Sequence, residues 1–375
     1  MKRSPKILHL NTVASQRNGV GQIVGTLAKA APDHGYESIV VAGYGDVDES
    51  DYIVQTKWQY RKNALYSRLW GEDGFLKSAS TERLNEIIIS QKPDIVHLHN
   101  LHGYYCDIIS LDASLKRLGV PVVVTMHDLW LTTGRCATPC HIECVKPSDE
   151  LCRNCCHLKS YPAKWIKGKS RLLQKNKFLQ DKTVVVPSSF VSTRVESYNP
   201  LIIRNGINTK IFRPNAAVLR DKYKILAVAS HWTKEKGIDD LIRLAEALPE
   251  PYKLHLIGDN VPVHHAIRKL GTIDNPEQIA AEMSTSAVVL SSSFQESFGL
   301  TVAEAIATNT PVIVRKGTAP EEMLSDASYS VDFRDTSKLV SRITGELLPQ
   351  TPLFSLSSER MVGEYYELYG RLLNI

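Results

Sequence analysis

The chain has 375 residues, of which 43% are hydrophobic and 23% charged, and its formal net charge is +5. That length exceeds one typical core and suits two domains, the composition is that of an ordinary globular protein, and so mild a charge gives no argument for nucleic acid as a partner. No apolar run reaches the roughly 18 residues of a membrane span. The apolar stretch after Met1-Lys2-Arg3 is broken by His9 and Asn11 too early for a signal peptide. Six of the seven cysteines lie between Cys136 and Cys156. An odd total without an export signal argues against a disulfide framework and makes a cytoplasmic setting the default expectation.

In chain order, the start of the chain, Met1 to Asn11, reads as a first strand, followed by a loop with Gly19 and Gly21 and a helix over 22–30, with Ile23, Leu27 and Ala30 at helical spacing. Strand, glycine loop and helix form a phosphate-site geometry, although Gly-Val-Gly also fits a plain turn. A second strand covers 38–42. The polar stretch 46–80 carries Trp58, Tyr60, Tyr66, Trp70 and Phe75 and has no assignable role beyond that of a candidate acceptor region by analogy. A helix over 82–90 leads to a strand over 93–99, on which His97 and His99 share a face. With no third ligand evident nearby, packing or cleft lining is favoured over a metal. The next strand, 121–126, runs into His127-Asp128. Strands alternating with helices imply a parallel sheet with right-handed crossovers, whose ligands bind at the carboxyl ends of the strands. His127 sits at such an end, where it either meets a ligand or caps backbone groups.

The cysteine cluster follows. Cys152-x2-Cys155 is a half-site for zinc, and Cys136, Cys140 or Cys144 could supply the other pair of a structural site, with Cys136 and Cys144 as the expected two; unligated or redox-active thiols are the alternatives. Seven basic residues and no acidic one lie between Lys159 and Lys177, interleaved with apolar side chains. This pattern fits a helix on an anionic membrane surface or a solvated helix face. A strand over 184–186 is read as the last of the first domain, and Asn205-Gly206 marks a turn in the linker. The second domain opens with a strand over 224–229, then His231, Lys236-Gly237 and a helix over 238–247. Further on, the strand 287–290, a loop containing Glu296 and a helix containing Glu304 meet at Phe298-Gly299-Leu300. There the free amides and dipole of a helix start suit a phosphate, and the two glutamates suit sugar hydroxyls. Two solvated carboxylates are the plainer alternative.

The run Glu296-Ser297-Phe298-Gly299-Leu300-x3-Glu304-Ala305 resembles the signature of the retaining glycosyltransferases of family 4. Thr125-Met126-His127-Asp128, Asn205 to Pro214 and Lys236-Gly237 are similar to further motifs of that family. The resemblance implies that Glu296 contacts the donor hexose, Glu304 the ribose, the backbone of Phe298, Gly299 and Leu300 the diphosphate, and Lys236 the pyrophosphate. It also implies that His127 faces the transferred sugar and that Gly19 and Gly21 lie near the donor phosphates. Arg204 replaces a usual proline and His231 stands near a usual arginine; either could assist phosphate binding.

The implied fold is α/β, GT-B, with two Rossmann-like doubly wound domains facing each other across a cleft. The expected domains are 1–200 on the acceptor side with a Cys-rich insertion at 136–156, 201–356 binding the nucleotide sugar, and a helix over 357–375 crossing back. The expected activity moves a hexose from a nucleoside diphosphate sugar to a hydroxyl of a saccharide or lipid-linked saccharide, with retention. No cofactor is expected for catalysis, and a structural zinc is the only metal. The expected setting is cytoplasmic, peripheral on the inner face of the cytoplasmic membrane. The alternatives are a nucleotide-sugar epimerase or hydrolase on the same fold and a non-catalytic sugar-nucleotide-binding protein.

Overall fold

A computed structural model describes residues 3–15, 18–45, 50–134, 136–137 and 168–375. The chain divides into two compact units, one formed by Met1–Ile203 with Val362–Ile375 and the other by Arg204–Met361.

The first unit is a seven-stranded, all-parallel sheet of β1 (Lys6–Ala14), β2 (Glu37–Gly45), β3 (Tyr52–Ile53), β4 (Ile95–Leu98), β5 (Val122–Thr125), β6 (Thr183–Val186) and β7 (Leu201–Ile202), in the order β3-β2-β1-β4-β5-β6-β7. Its central strands are nearly all buried, as a sheet covered on both faces requires. The last strand is β7, not the run ending at Val186. Leu201 and Ile202 are too short a run to read from sequence, and pairing with Val185 and Val186 makes them a strand.

The second unit repeats the plan with six parallel strands. These are β8 (Asp221–His231), β9 (Lys253–Asp259), β10 (Ile267–Gly271), β11 (Ser286–Ser291), β12 (Val312–Arg315) and β13 (Ser330–Val331), ordered β10-β9-β8-β11-β12-β13. In each sheet the strand order reverses between the first and fourth strands, β1 and β4 or β8 and β11. The carboxyl end of that pair is where doubly wound sheets take their ligands.

One element departs from the reading above. The stretch left without a role contains a helix, Lys57–Trp70, opened by a capping box in which Thr56 accepts from the Gln59 amide and Gln59 returns the bond. The C-terminal helix, Ser358–Leu373, belongs to the first unit from Val362 onward. There it buries Tyr365, Tyr366 and Tyr369, and the Tyr366 hydroxyl donates to the Leu27 carbonyl.

Candidate active site

In the second unit, β8 and β11 both end in loops that pack on one another. The turn after β8 closes at Gly237, whose φ is +78°, and a Cβ there would lie 2.3 Å from the Ser292 carbonyl oxygen. Only glycine allows that approach. Ser292 Oγ donates to the Lys236 carbonyl at 2.6 Å, and the Phe294 amide to the Glu235 carbonyl at 2.9 Å. The two loops are thereby stitched together. The result is an ion pair between the two residues assigned separately to the donor: Lys236 Nζ lies 2.6 Å from Glu296 Oε1.

Arg315, at the end of β12, braces this arrangement, and sequence reasoning missed it. Its Nε donates to the Ser292 carbonyl at 2.6 Å, its guanidinium pairs with buried Asp240, and it stacks 4.0 Å from the Phe294 ring centroid. Its place at the carboxyl end of a central strand was the available signal.

Gly299 caps the helix Leu300–Ala307 with φ +94° and no side-chain cap. The first intrahelical bonds run from Val302 and Ala303 back to the Gly299 carbonyl, so the amides of Leu300 and Thr301 precede the helical ladder. Phe298 is buried and Leu300 half-buried. A Cβ on Gly299 would come within 2.5 Å of Pro320 Cγ. Gly299→Ala is therefore expected to cost about 1–2 kcal/mol through strain alone, measurable as a lowered urea midpoint.

Glu304 projects from this helix, and no hydrogen bond ties its carboxylate among the described residues. Burial in apolar surroundings pushes its carboxyl up to about 8 although the side chain keeps some contact with water. Arg204 stands 3.7 Å from Glu322 and over the Phe354 ring, whose centroid is 6.3 Å from that of Phe298. His231 is exposed at the end of β8.

In the first unit, the middle of β1 and the carboxyl ends of β4 and β5 carry a file of histidines. His9 is directly opposite His97 in the β1–β4 register. His9 Nδ1 lies 3.3 Å from His99 Nε2, and His99 Nδ1 lies 2.9 Å from His127 Nε2. His97 bonds Tyr369 through Nδ1 and Thr125 through Nε2, both at 2.7 Å, and Thr125 reaches Tyr365 at 2.9 Å. The third ligand that His97 and His99 appeared to lack is thus present: ligand atoms of His9, His97 and His99 all lie within 4.8 Å of one another. Yet hydrogen bonds already occupy both nitrogens of His97 and His99 and one of His9, leaving His9 Nε2 as the buried nitrogen without a partner. The cluster is therefore accounted for as a hydrogen-bonded network.

Burial drives all four rings toward the neutral form, with His9 down to about 3, His127 to about 4, and His97 and His99 well below the ordinary histidine range. Because the unfolded chain takes up these protons near pH 6.5 and the native fold does not, stability is complete above that pH. It falls as the pH drops from about 6.5 toward 4, by up to about 1.4 kcal/mol per pH unit for each ring. Urea midpoints across that range test this, and His9→Phe should flatten the slope.

Asp128 turns back from the site. It accepts from the Trp130 amide at 2.8 Å and pairs with His102 Nε2 at 2.8 Å. Burial works against charge on His102, but the Asp128 carboxylate outweighs it and raises the imidazole overall. Gly19 begins the helix Gly19–Ala30, and the Gly21 amide is taken by the Asn18 side chain at 2.7 Å, so that amide is already spent on the cap. Cys140, Cys144, Cys152 and Cys155 lie outside the described residues, as do residues 159–167 of the basic stretch; Cys136 is described and half-buried. Two of the basic side chains turn inward rather than onto a common outer face. Lys175 is buried, donating to the Trp130 and Thr133 carbonyls at 2.7 and 3.1 Å, and Arg171 pairs with Glu72. Among the described residues no helix is long and apolar enough to cross a membrane.

Two doubly wound units, one with a glycine-capped helix start beside a lysine–glutamate pair, define a sugar transferase of the GT-B fold. The sequence matches the profile "Glycosyltransferase Family 4" over residues 17–211 and "Glycosyl transferases group 1" over 210–348. The chain belongs to glycosyltransferase family 4. It is 25% identical, over 98% of its length and 100% of the relative's, to the Escherichia coli K12 protein named as a colanic acid biosynthesis glycosyl transferase, WcaC. Among solved structures it is similar to a glycosyltransferase from Rickettsia africae, with a TM-score of 0.64, 17% identity and 99% of each chain covered. It is also similar to Anabaena Alr3699/HepE in complex with UDP-glucose, with a TM-score of 0.60, 14% identity, and 90% and 88% of the two chains covered.

Proposed function

We propose that this glycosyltransferase moves a hexose from a nucleoside diphosphate sugar to a hydroxyl of a saccharide acceptor, with retention at the anomeric carbon. The acceptor is a lipid-linked polysaccharide precursor presented at the inner face of the cytoplasmic membrane. The observation that carries the reading is the Lys236–Glu296 pair together with the Leu300 and Thr301 amides, which precede the helical ladder and for which no partner occurs among the described residues. A cation and a helix dipole suit a diphosphate leaving group, whose developing charge they stabilise as the glycosidic bond to the donor breaks. Glu296 then accepts from hexose hydroxyls, Glu304 from the ribose, and His127 contacts the transferred sugar. The name of WcaC supports a polysaccharide product, and the HepE complex supports a UDP-sugar as the first donor to try.

The test is a screen of nucleotide sugars with and without saccharide acceptors, following nucleoside diphosphate release and the anomeric configuration of the product. Transfer with retention is expected. Acceptor-independent donor turnover, or an inverted product, would overturn it.

Glu304 makes donor binding pH-dependent. A carboxyl titrating at about 8 is protonated in the free protein at neutral pH, and its ionised form accepts from ribose hydroxyls more strongly than the neutral acid. Donor affinity is therefore expected to rise with pH, by up to about tenfold per unit between pH 6 and 8, and to flatten in Glu304→Gln. Stability runs the other way. The native fold keeps a proton that the unfolded chain loses near 4.5, so stability falls as the pH rises from about 4.5 to 8 and levels off above that. Glu304→Gln should therefore gain about 1 kcal/mol at pH 8.5. Calorimetric titration and urea unfolding check the two halves.

A further inference from the structure

We propose that the outward face of the helix Lys57–Trp70 is a docking surface for an anionic lipid bilayer. This helix is built inside out. The side chains it buries are small or polar, Asn63, Ala64 and Ser67, whereas the large apolar ones face water: Trp58 is 69% exposed, Leu65 62% and Trp70 52%, with Tyr66 and Leu69 beside them. A helix held to its domain by an apolar stripe shows the opposite arrangement. Here the anchor is largely polar, Asn63 Nδ2 donating to Gln55, Ser80 and the Tyr104 carbonyl at 3.1–3.2 Å, with the half-buried Tyr60 ring stacked on Tyr44 and edge-on to Tyr104 as its aromatic contact. Burial does not explain the outer aromatics.

Charge selects the occupant. Lys57, Arg61, Lys62 and Arg68 are exposed on the same helix, and no acidic residue occurs from Lys57 to Gly71. Glu72, just beyond, is held by Arg171. Lys62 lies 5.4 Å from the Trp58 ring centroid, and Tyr66 stacks on Trp70 at 4.8 Å. Exposed apolar and aromatic groups interleaved with cations match a headgroup region whose phosphates meet the cations while the rings enter the acyl boundary. The surface lies in the first unit. It deepens the lipid-linked acceptor reading and rests on it for its purpose, but binding is measured without any transfer reaction.

The experiment is flotation of the full chain with vesicles of equal parts phosphatidylglycerol and phosphatidylcholine, against phosphatidylcholine alone. Binding to the anionic vesicles only is expected, with a blue shift of tryptophan emission and about a tenfold loss when salt rises from 0.05 to 0.5 M. Trp58→Ser/Trp70→Ser and Arg61→Glu/Lys62→Glu should each weaken binding at least tenfold with unchanged circular dichroism and unchanged donor binding. Three results would overturn the proposal: no binding to anionic vesicles, binding that survives both double variants, or a concentration-dependent dimer in sedimentation that the tryptophan variant abolishes. A protein that binds vesicles but transfers no sugar would sink the transferase reading and leave this one standing.

Discussion

Glu296→Ala is expected to lower kcat by about 10²–10³-fold while leaving the fold intact. The pair it breaks is partly open to water, with Lys236 39% and Glu296 23% exposed, and such pairs contribute at most about 1 kcal/mol to stability. The melting temperature should therefore move by only a few degrees, so a large kinetic loss reports on the reaction and not on folding. Lys236→Ala should reduce turnover and also weaken nucleoside diphosphate binding, because a point charge next to the helix start is lost. The double variant should lose much less than the product of the single losses, since each residue holds the other in position. Near-normal turnover by Glu296→Ala, measured under saturating donor, would defeat the assignment of the site to this loop.

His99→Phe is expected to lower kcat by about 10–100-fold with the donor KM within a factor of about two, although His99 lies behind His127 in the file. Three neutral rings linked by two hydrogen bonds can be polarised in only two directions. One places an N–H on His9 Nε2, the buried nitrogen without a partner; the other leaves a bare lone pair there. Orphaned buried N–H groups are rare in folded proteins, which selects the second. His9 Nδ1–H then donates to His99, and His99 Nδ1–H donates to His127 Nε2. This fixes the proton of His127 on Nδ1, the nitrogen with no partner among the described residues and the one left to donate to a sugar oxygen. Phenylalanine fills the volume of His99 but sets no tautomer. Nitrogen-15 spectra should show a single Nδ1–H form of His127 in the wild type and a mixture in His99→Phe. His99→Asn, whose amide can take the place of the lost donor, should recover most of the activity. A purely structural role for His99 predicts no tautomer change and no such recovery.

Much of this protein was legible before folding because local chemistry carries it. Buried parallel strands announce themselves as apolar runs such as Val122-Val123-Val124, and the helix start at Gly299 follows from a residue that alone tolerates its φ. The two glutamates, Lys236 and His127 stand in short motifs whose spacing survives translation into a sequence pattern. Other features were not legible, because they depend on which strands become neighbours. His9 looked like an interruption in an apolar run, and only the parallel pairing of β1 with β4 sets it opposite His97 and within reach of His99. Lys236 and Glu296, 60 residues apart, become one ion pair because β8 and β11 lie side by side at the reversal of strand order. Lys175 read as one more surface cation, yet packing buries it over Trp130, where burial brings its ammonium down to about 7. The helix Lys57–Trp70 could have been found from its Thr56-x2-Gln59 box, but not which way its tryptophans point. Periodicity reports that a helix has two faces; only the tertiary structure decides which of them meets the core, since that choice is made by the Asn63 hydrogen bonds to partners up to 41 residues away.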